Sequence, residues 1–83
     1  MPTVAFVEGV RICFYADEHP PPHFHATYAE FTAQIVVEDL RVLKGSLPPA
    51  KLATVRAWAK TRRDVLKRTW DVTIAQEKPE KIK

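Results

Sequence analysis

The sequence contains few of the residues that mark a specialised class of protein. Its 83 residues include one cysteine, one methionine and two glycines, and its three histidines all fall within seven positions. Cys13 alone cannot form an internal disulfide, which fits a reducing compartment. No apolar run is long enough to span a bilayer, and the opening residues, MPTVAFVEG, lack the basic and apolar regions of a secretory signal. We therefore expect a cytoplasmic protein that does not associate with membranes.

Size and composition indicate one small folded domain. Hydrophobic residues make up 46% of the chain and charged residues 28%, which argues against disorder. A chain of this length buries only about 60–65% of its unfolded surface. Its core is therefore thin, and we expect a protein partner or a homodimer. The predicted domain covers residues 1–75, and 76–83 is predicted to be a charged, flexible tail.

The first half of the chain alternates between apolar and polar residues, as half-buried strands do. Val10, Ile12 and Phe14 fall on one face of such a strand. Glu8-Gly9 before them suits a two-residue hairpin turn. The predicted strands are 4–7, 10–16, 23–28, 32–38 and 40–44.

Beyond Gly45 the apolar spacing becomes helical. Ser46 is the predicted N-cap, and Pro48 or Pro49 fits the first helical turn, where a missing N–H costs nothing. The apolar stripe is interrupted at 60–63, where we expect a break between two helices. The members of the stripe are Leu52, Val55, Ala59, Leu66 and Trp70.

Strands first and helices last predict an α+β fold. It would comprise a small antiparallel β-sheet of about four to five strands, with C-terminal α-helices packed on one face. An antiparallel sheet can leave its other face to water. The residues predicted on that open face are Arg11, Cys13, Tyr15, His23, His25, Thr27, Gln34 and Val36.

The stretch EHPPPHFHATY, residues 18–28, is the most unusual part of the sequence. His23 and His25 are two apart in a predicted strand, so they share a face at about 6.6 Å and can converge on one ion or phosphate. His19 would lie about 12 Å from His23 along an extended triple proline. It joins the pair only if the connector bends.

Three interpretations of this stretch stay open. In the first, His19, His23 and His25 bind a divalent metal ion, with Asp17 or Glu18 as alternatives to His19. Apart from this metal ion, the sequence indicates no cofactor. In the second, His23 and His25 are the catalytic acid and base of a small metal-independent ribonuclease-type phosphodiesterase. Arg11 or Lys44 would then stabilise the developing charge.

The third interpretation is purely structural, with the prolines forming a rigid connector and the histidines bordering a strand.

Positive charge is concentrated in the second half of the chain. Residues 1–47 carry three basic and six acidic side chains, a net −3, whereas residues 48–83 carry ten and four, a net +6. Four of the basic residues follow helical spacing and predict a ridge that can neutralise phosphates, although a solvated outer face is the simpler alternative. Tyr15, which can stack a base, and His19 complete the predicted binding set. The four ridge residues are Arg56, Lys60, Arg63 and Lys67.

Two stretches, MPTVAFVEGVRICFYADEHPPPHFHATY and WAKTRRDVLKRTW, resemble a family of small bacterial proteins known only as domain of unknown function 4160. The resemblance covers nearly the whole chain, and the His-Pro-Pro-Pro-His-x-His block is its most specific part. Members of the family often carry His and Asn where this chain has Arg62 and Thr69. The resemblance therefore supports no second site at those positions.

The family resemblance implies a partner without naming a reaction. Its members are often encoded beside another small protein, domain of unknown function 2442, in an arrangement similar to a toxin–antitoxin module. We therefore expect an interaction module that binds a small protein encoded nearby, with nucleic acid as a second class of partner. The ribonuclease-type enzyme and the histidine-ligated metal protein are the alternatives.

Overall fold

A computed structural model describes residues 3–76 and Ile82. Five antiparallel strands form one sheet in the order β1-β2-β3-β4-β5, so each strand pairs with its neighbours in sequence. Two helices follow the sheet. The elements are β1 Thr3–Val7, β2 Val10–Cys13, β3 His23–Tyr28, β4 Phe31–Val36, β5 Val42–Gly45, α1 Pro49–Lys60 and α2 Arg63–Ile74.

The two glycines lie at bends that a side chain would strain. In the β1–β2 hairpin, Glu8 and Gly9 have φ of 48° and 82°, and two successive positive φ values match the twist of a tight hairpin. Gly45 at the end of β5 has φ of 80°, and a Cβ atom there would lie 2.1 Å from the carbonyl oxygen of Thr32. The chain therefore leaves β5 against the backbone of β4, and only glycine fits.

The core lies between the sheet and the helices. Alternate residues of the central strands, such as Ile12, Phe24 and Ile35, are fully buried. From α1, Val55 and Ala59 are buried against them, and from α2, Leu66 and Trp70. Burial of such side chains stabilises the fold by roughly 1.5–3 kcal/mol each.

The predicted fold class is confirmed: the protein is α+β, with a five-stranded antiparallel sheet and two C-terminal helices. The break at 60–63 is also confirmed, because α1 ends at Lys60 and α2 begins at Arg63. The predicted N-cap is wrong. The position before α1 is Pro48, with no side-chain cap, and Pro49 begins the helix.

The prediction of an open second sheet face is wrong at the end of the sheet that carries His23. Cys13, His23 and Val36 are at most 3% exposed, and His25 is 9% exposed. Side chains from the connector and from α2, described below, cover this part of the face. Alternation in the strands could not reveal that cover, because it comes from residues distant in sequence.

Of the predicted tail 76–83, the structure describes only Gln76 and Ile82, and the remainder lies outside the described residues. The Ile82 N–H donates to the carbonyl of Val4 at 2.7 Å, and its side chain packs against the core. Within the described part of the chain, neither helix has the length and apolarity needed to cross a membrane.

Candidate metal centre

Two histidines and one carboxylate converge where β3 begins. His23 and His25 lie on the same face of β3, as alternation requires. The connector from β2 brings Glu18 back over them, with its Oε1 2.6 Å from His25 Nε2 and its Oε2 3.6 Å from His23 Nε2. One donor atom from each residue lies within 4.8 Å of the other two. The three residues therefore form a compact group of nitrogen and oxygen donors.

His23 is oriented by the proline segment. Its Nδ1–H donates to the carbonyl of Pro21 at 2.8 Å, which leaves Nε2 with a free lone pair in the neutral ring. That Nε2 is buried and has no hydrogen-bond partner among the described residues. Glu18 Oε2, at 3.6 Å, is beyond hydrogen-bonding distance. A buried polar atom without a partner typically costs about 1–3 kcal/mol, so its presence needs an explanation.

The surroundings of His25 favour its neutral form. Burial lowers its pKa, and the hydrogen bond and charge of Glu18 offset this only in part, while His23 beside it lowers the pKa further. A neutral imidazole is the form that ligates a metal. In the absence of an ion, the 2.6 Å contact is a hydrogen bond from Nε2–H to the carboxylate. That proton must leave Nε2 for the atom to become a ligand.

Aromatic rings hold both imidazoles in place. The Tyr15 ring meets the His25 ring edge-on, with centroids 4.4 Å apart. On the other side, the ring of Trp70 from α2 lies 5.1 Å from that of His23. Contacts of this kind restrict rotation of the imidazoles. The donor atoms are therefore pre-oriented by packing as well as by hydrogen bonds.

The donor set matches a divalent transition metal. Zinc bonds to imidazole nitrogen and carboxylate oxygen at about 2.0–2.2 Å, which places ligand atoms about 3.4 Å apart in a tetrahedron. The contacts of 2.6 and 3.6 Å are made by different oxygens of Glu18, and one donor atom from each residue lies within 4.8 Å of the other two. The side chains of Glu18, His23 and His25 would therefore have to move closer together to reach ligating distance. Two histidines and one carboxylate also suit iron, cobalt or nickel.

His19 was the third predicted metal ligand, and the structure does not place it in the group. It is exposed, and Glu18 fills that place instead. The connector turns so that the residue before His19 points back to the strand. Sequence spacing could not choose between these neighbours, because in a connector the direction of each side chain depends on the path of the backbone.

Arg11 was predicted to assist His23 and His25. It lies on the same face of the sheet, but on the neighbouring strand β2 and nearer the other end. It pairs with Thr27, two residues beyond His25. Tyr15 contacts His25 directly. The role of Trp70 at His23 was not anticipated, because its helical spacing indicated only a core residue.

The predicted basic ridge is not one helix face. Arg56 and Lys60 belong to α1, whereas Arg63 and Lys67 belong to α2, because the helix break separates the pairs. Arg56 Nε donates to the carbonyl of Leu40 at 2.9 Å. Lys67 pairs with Asp71 at 3.1 Å. The predicted ridge required one continuous helix from Arg56 to Lys67, whereas the structure has two helices there.

Residues 9–71 match the family described as "Domain of unknown function (DUF4160)". The chain belongs to this family. The matched region contains Glu18, His23 and His25 and ends within α2. No curated protein and no solved structure matches the chain.

Proposed function

We propose that this DUF4160 protein binds a divalent transition-metal ion through Glu18, His23 and His25. The observation that carries the proposal is the buried, unpartnered Nε2 of His23, whose Nδ1–H is fixed on the Pro21 carbonyl. Metal-ligating histidines almost always donate their other ring N–H to a carbonyl or carboxylate. A metal ion at this position would give the orphaned nitrogen a partner.

The ligand set supports an accessible ion in preference to a closed structural one. Three protein ligands leave at least one coordination position for water or a substrate, as in catalytic zinc sites. A bound ion can lower the pKa of such a water or polarise a phosphoryl oxygen. Glu18 is partly exposed, with 28% of its side chain accessible, so solvent reaches this edge of the site.

Metal binding fits the burial better than metal-free acid–base catalysis does. The ribonuclease-type alternative needs both imidazoles to reach a phosphodiester, whereas His23 is only 3% exposed and its Nδ1–H is held by the Pro21 carbonyl. The interaction with a protein encoded nearby, in a bacterial two-gene system, stays a prediction. It is compatible with a metal centre, because the centre occupies only one end of the sheet.

Native mass spectrometry of protein incubated with Zn²⁺ or Co²⁺, before and after chelator, tests the proposal. We expect one ion per chain in the wild type. His23→Ala and His25→Ala should lose it, and Glu18→Gln should weaken it because an amide is a poorer ligand. His19→Ala is the matched control, since it removes a neighbouring exposed histidine. Failure of the wild type to retain an ion, or equal loss in His19→Ala, would refute the site.

A further inference from the structure

Side chains on the histidine face form two rows across the sheet. In one row, Phe6 lies opposite Arg11 on the neighbouring strand, Arg11 lies opposite Thr27, and Thr27 lies opposite Thr32. Residues directly opposite each other on antiparallel strands point to the same face. These four side chains therefore lie together, across four strands.

The second row passes through the candidate metal centre. Cys13 pairs with His25, His25 with Gln34, and Gln34 with Lys44. Thr27 of the first row and His25 of the second are two residues apart on β3, or about 6.6 Å. The first row and the end of the second that carries Gln34 and Lys44 thus adjoin the centre without belonging to it.

Burial decreases along this face from the His23 end to the Phe6 end. The covered end includes His23 and Val36, at 3% and 2% exposed. At the other end Phe6 is 68% exposed, the highest value among the exposed large hydrophobic residues of the described chain. We call the less covered part the open half-face. Its residues are the exposed Phe6, Thr32 and Lys44 and the half-buried Arg11, Thr27 and Gln34.

The open half-face has one sign of charge. None of the five strands contains an aspartate or glutamate. Arg11 and Lys44 form no ion pair within the described part of the chain. The acidic residues at this end are Glu8 and Glu30, which lie in the turns beyond the strands. The face itself therefore presents two cations, an aromatic ring and three neutral hydrogen-bonding side chains.

We propose that the open half-face binds single-stranded nucleic acid. An exposed aromatic ring stacks on a base whatever its sequence, and nearby cations neutralise the backbone phosphates. Phe6 supplies the ring, and Arg11 beside it and Lys44 on β5 supply the charges. Gln34 and the threonines can donate to phosphate or sugar oxygens. A duplex would not expose its bases to Phe6, so the sheet selects an unpaired strand.

This inference goes beyond the metal centre and does not depend on it, because no residue of the open half-face is a proposed ligand. The two sites are nevertheless adjacent. A strand held on the open half-face would place a phosphate within reach of an ion at His25.

Fluorescence anisotropy with labelled poly-U RNA and poly-T DNA probes of about ten nucleotides tests the inference. Phe6→Ala should weaken binding about tenfold, and Arg11→Gln and Lys44→Gln should each weaken it and reduce its salt dependence. Ile74→Ala and Lys60→Gln are matched controls: both residues are exposed, and both lie on the helices. The two probes distinguish RNA from DNA, and wild-type protein treated with chelator should bind them as the untreated protein does.

Three results would overturn the inference. The first is no binding to either probe at low salt. The second is equal weakening by Lys60→Gln and Arg11→Gln, which would indicate non-specific attraction to positive charge. The third is a dimer in light scattering that Phe6→Asp dissociates, which would make the open half-face an interface between two copies. If the wild type binds no metal ion but still binds the RNA probe, only the proposed metal centre is refuted.

Discussion

Metal binding should raise the thermal stability of this protein by a predictable amount. Glu18 lies on the connector and the histidines on β3, so unfolding separates the three ligands. An ion that binds only the folded form stabilises it by about 2.7 kcal/mol at a free concentration of about 100 times Kd. In a domain of this size each kcal/mol raises Tm by roughly 4–8 °C, which gives about 10–20 °C in total.

The assay is thermal unfolding followed by circular dichroism, with chelator and then with increasing Co²⁺ or Zn²⁺. His25→Ala should abolish the rise in Tm. It should also lower the Tm of the metal-free protein, because the 2.6 Å hydrogen bond to Glu18 is lost. His19→Ala should keep the full rise. If metal raises the Tm of His25→Ala as much as that of the wild type, the ion binds elsewhere and the proposed metal centre is wrong.

Two further predictions follow from the pKa of His25 and from Gly45. Because the folded state lowers the pKa of His25, the unfolded chain takes up its proton first as the pH falls below about 6.5. The unfolding free energy of metal-free protein should therefore decrease below that pH, by at most about 1.4 kcal/mol per pH unit from this group. Chemical denaturation of His25→Gln should show a shallower decrease, and an unchanged slope would exclude His25 as the cause. Gly45→Ala should destabilise the protein by more than about 3 kcal/mol, because the new Cβ would meet the Thr32 carbonyl at 2.1 Å. Gly9→Ala is the control: it also has a positive φ, but its nearest neighbour would be a Tyr28 ring atom at 3.7 Å. Equal destabilisation of the two variants would show that the positive φ, and not the contact with Thr32, is the cause.

Local patterns predicted the fold well and the site only in part. Alternation placed His23 and His25 on one face, because neighbouring side chains in a strand point to opposite sides. The helix break was predictable from Arg62 and Arg63, which interrupt the apolar stripe. Alternation could not show that Trp70 would cover His23, since the two residues are 47 positions apart in the sequence and only the path of the chain brings them together.

Sequence patterns also could not predict that Glu18, and not the adjacent His19, would join His23 and His25. Both residues precede the triple proline, and either could supply a ligand by chemistry alone. The choice depends on the direction in which each side chain leaves an irregular connector. That direction is set by contacts such as the one between Glu18 and His25, which exist only after β3 has formed.

The triple proline limits which hydrogen bonds this segment can form. Residues 20–22 have no backbone N–H, so this segment offers only carbonyl acceptors. The carbonyl of Pro22 accepts from the Val37 N–H at 3.0 Å, and that of Pro21 accepts from His23 Nδ1–H at 2.8 Å. An acceptor at Nδ1 fixes the proton there and leaves Nε2 as a lone pair.

The prolines therefore determine the tautomer of His23, and this can be measured directly. Long-range ¹H–¹⁵N correlation spectra of metal-free protein at a pH above 7 should show His23 protonated at Nδ1 and unprotonated at Nε2. Zn²⁺ should then shift the Nε2 resonance of His23 and leave its Nδ1–H in place. His19, which is exposed, should show the mixture of tautomers typical of a solvated ring. A proton found on Nε2 of His23 would mean that this atom is a donor. The buried nitrogen would then be unavailable to a metal, and its missing partner would no longer support the proposed metal centre.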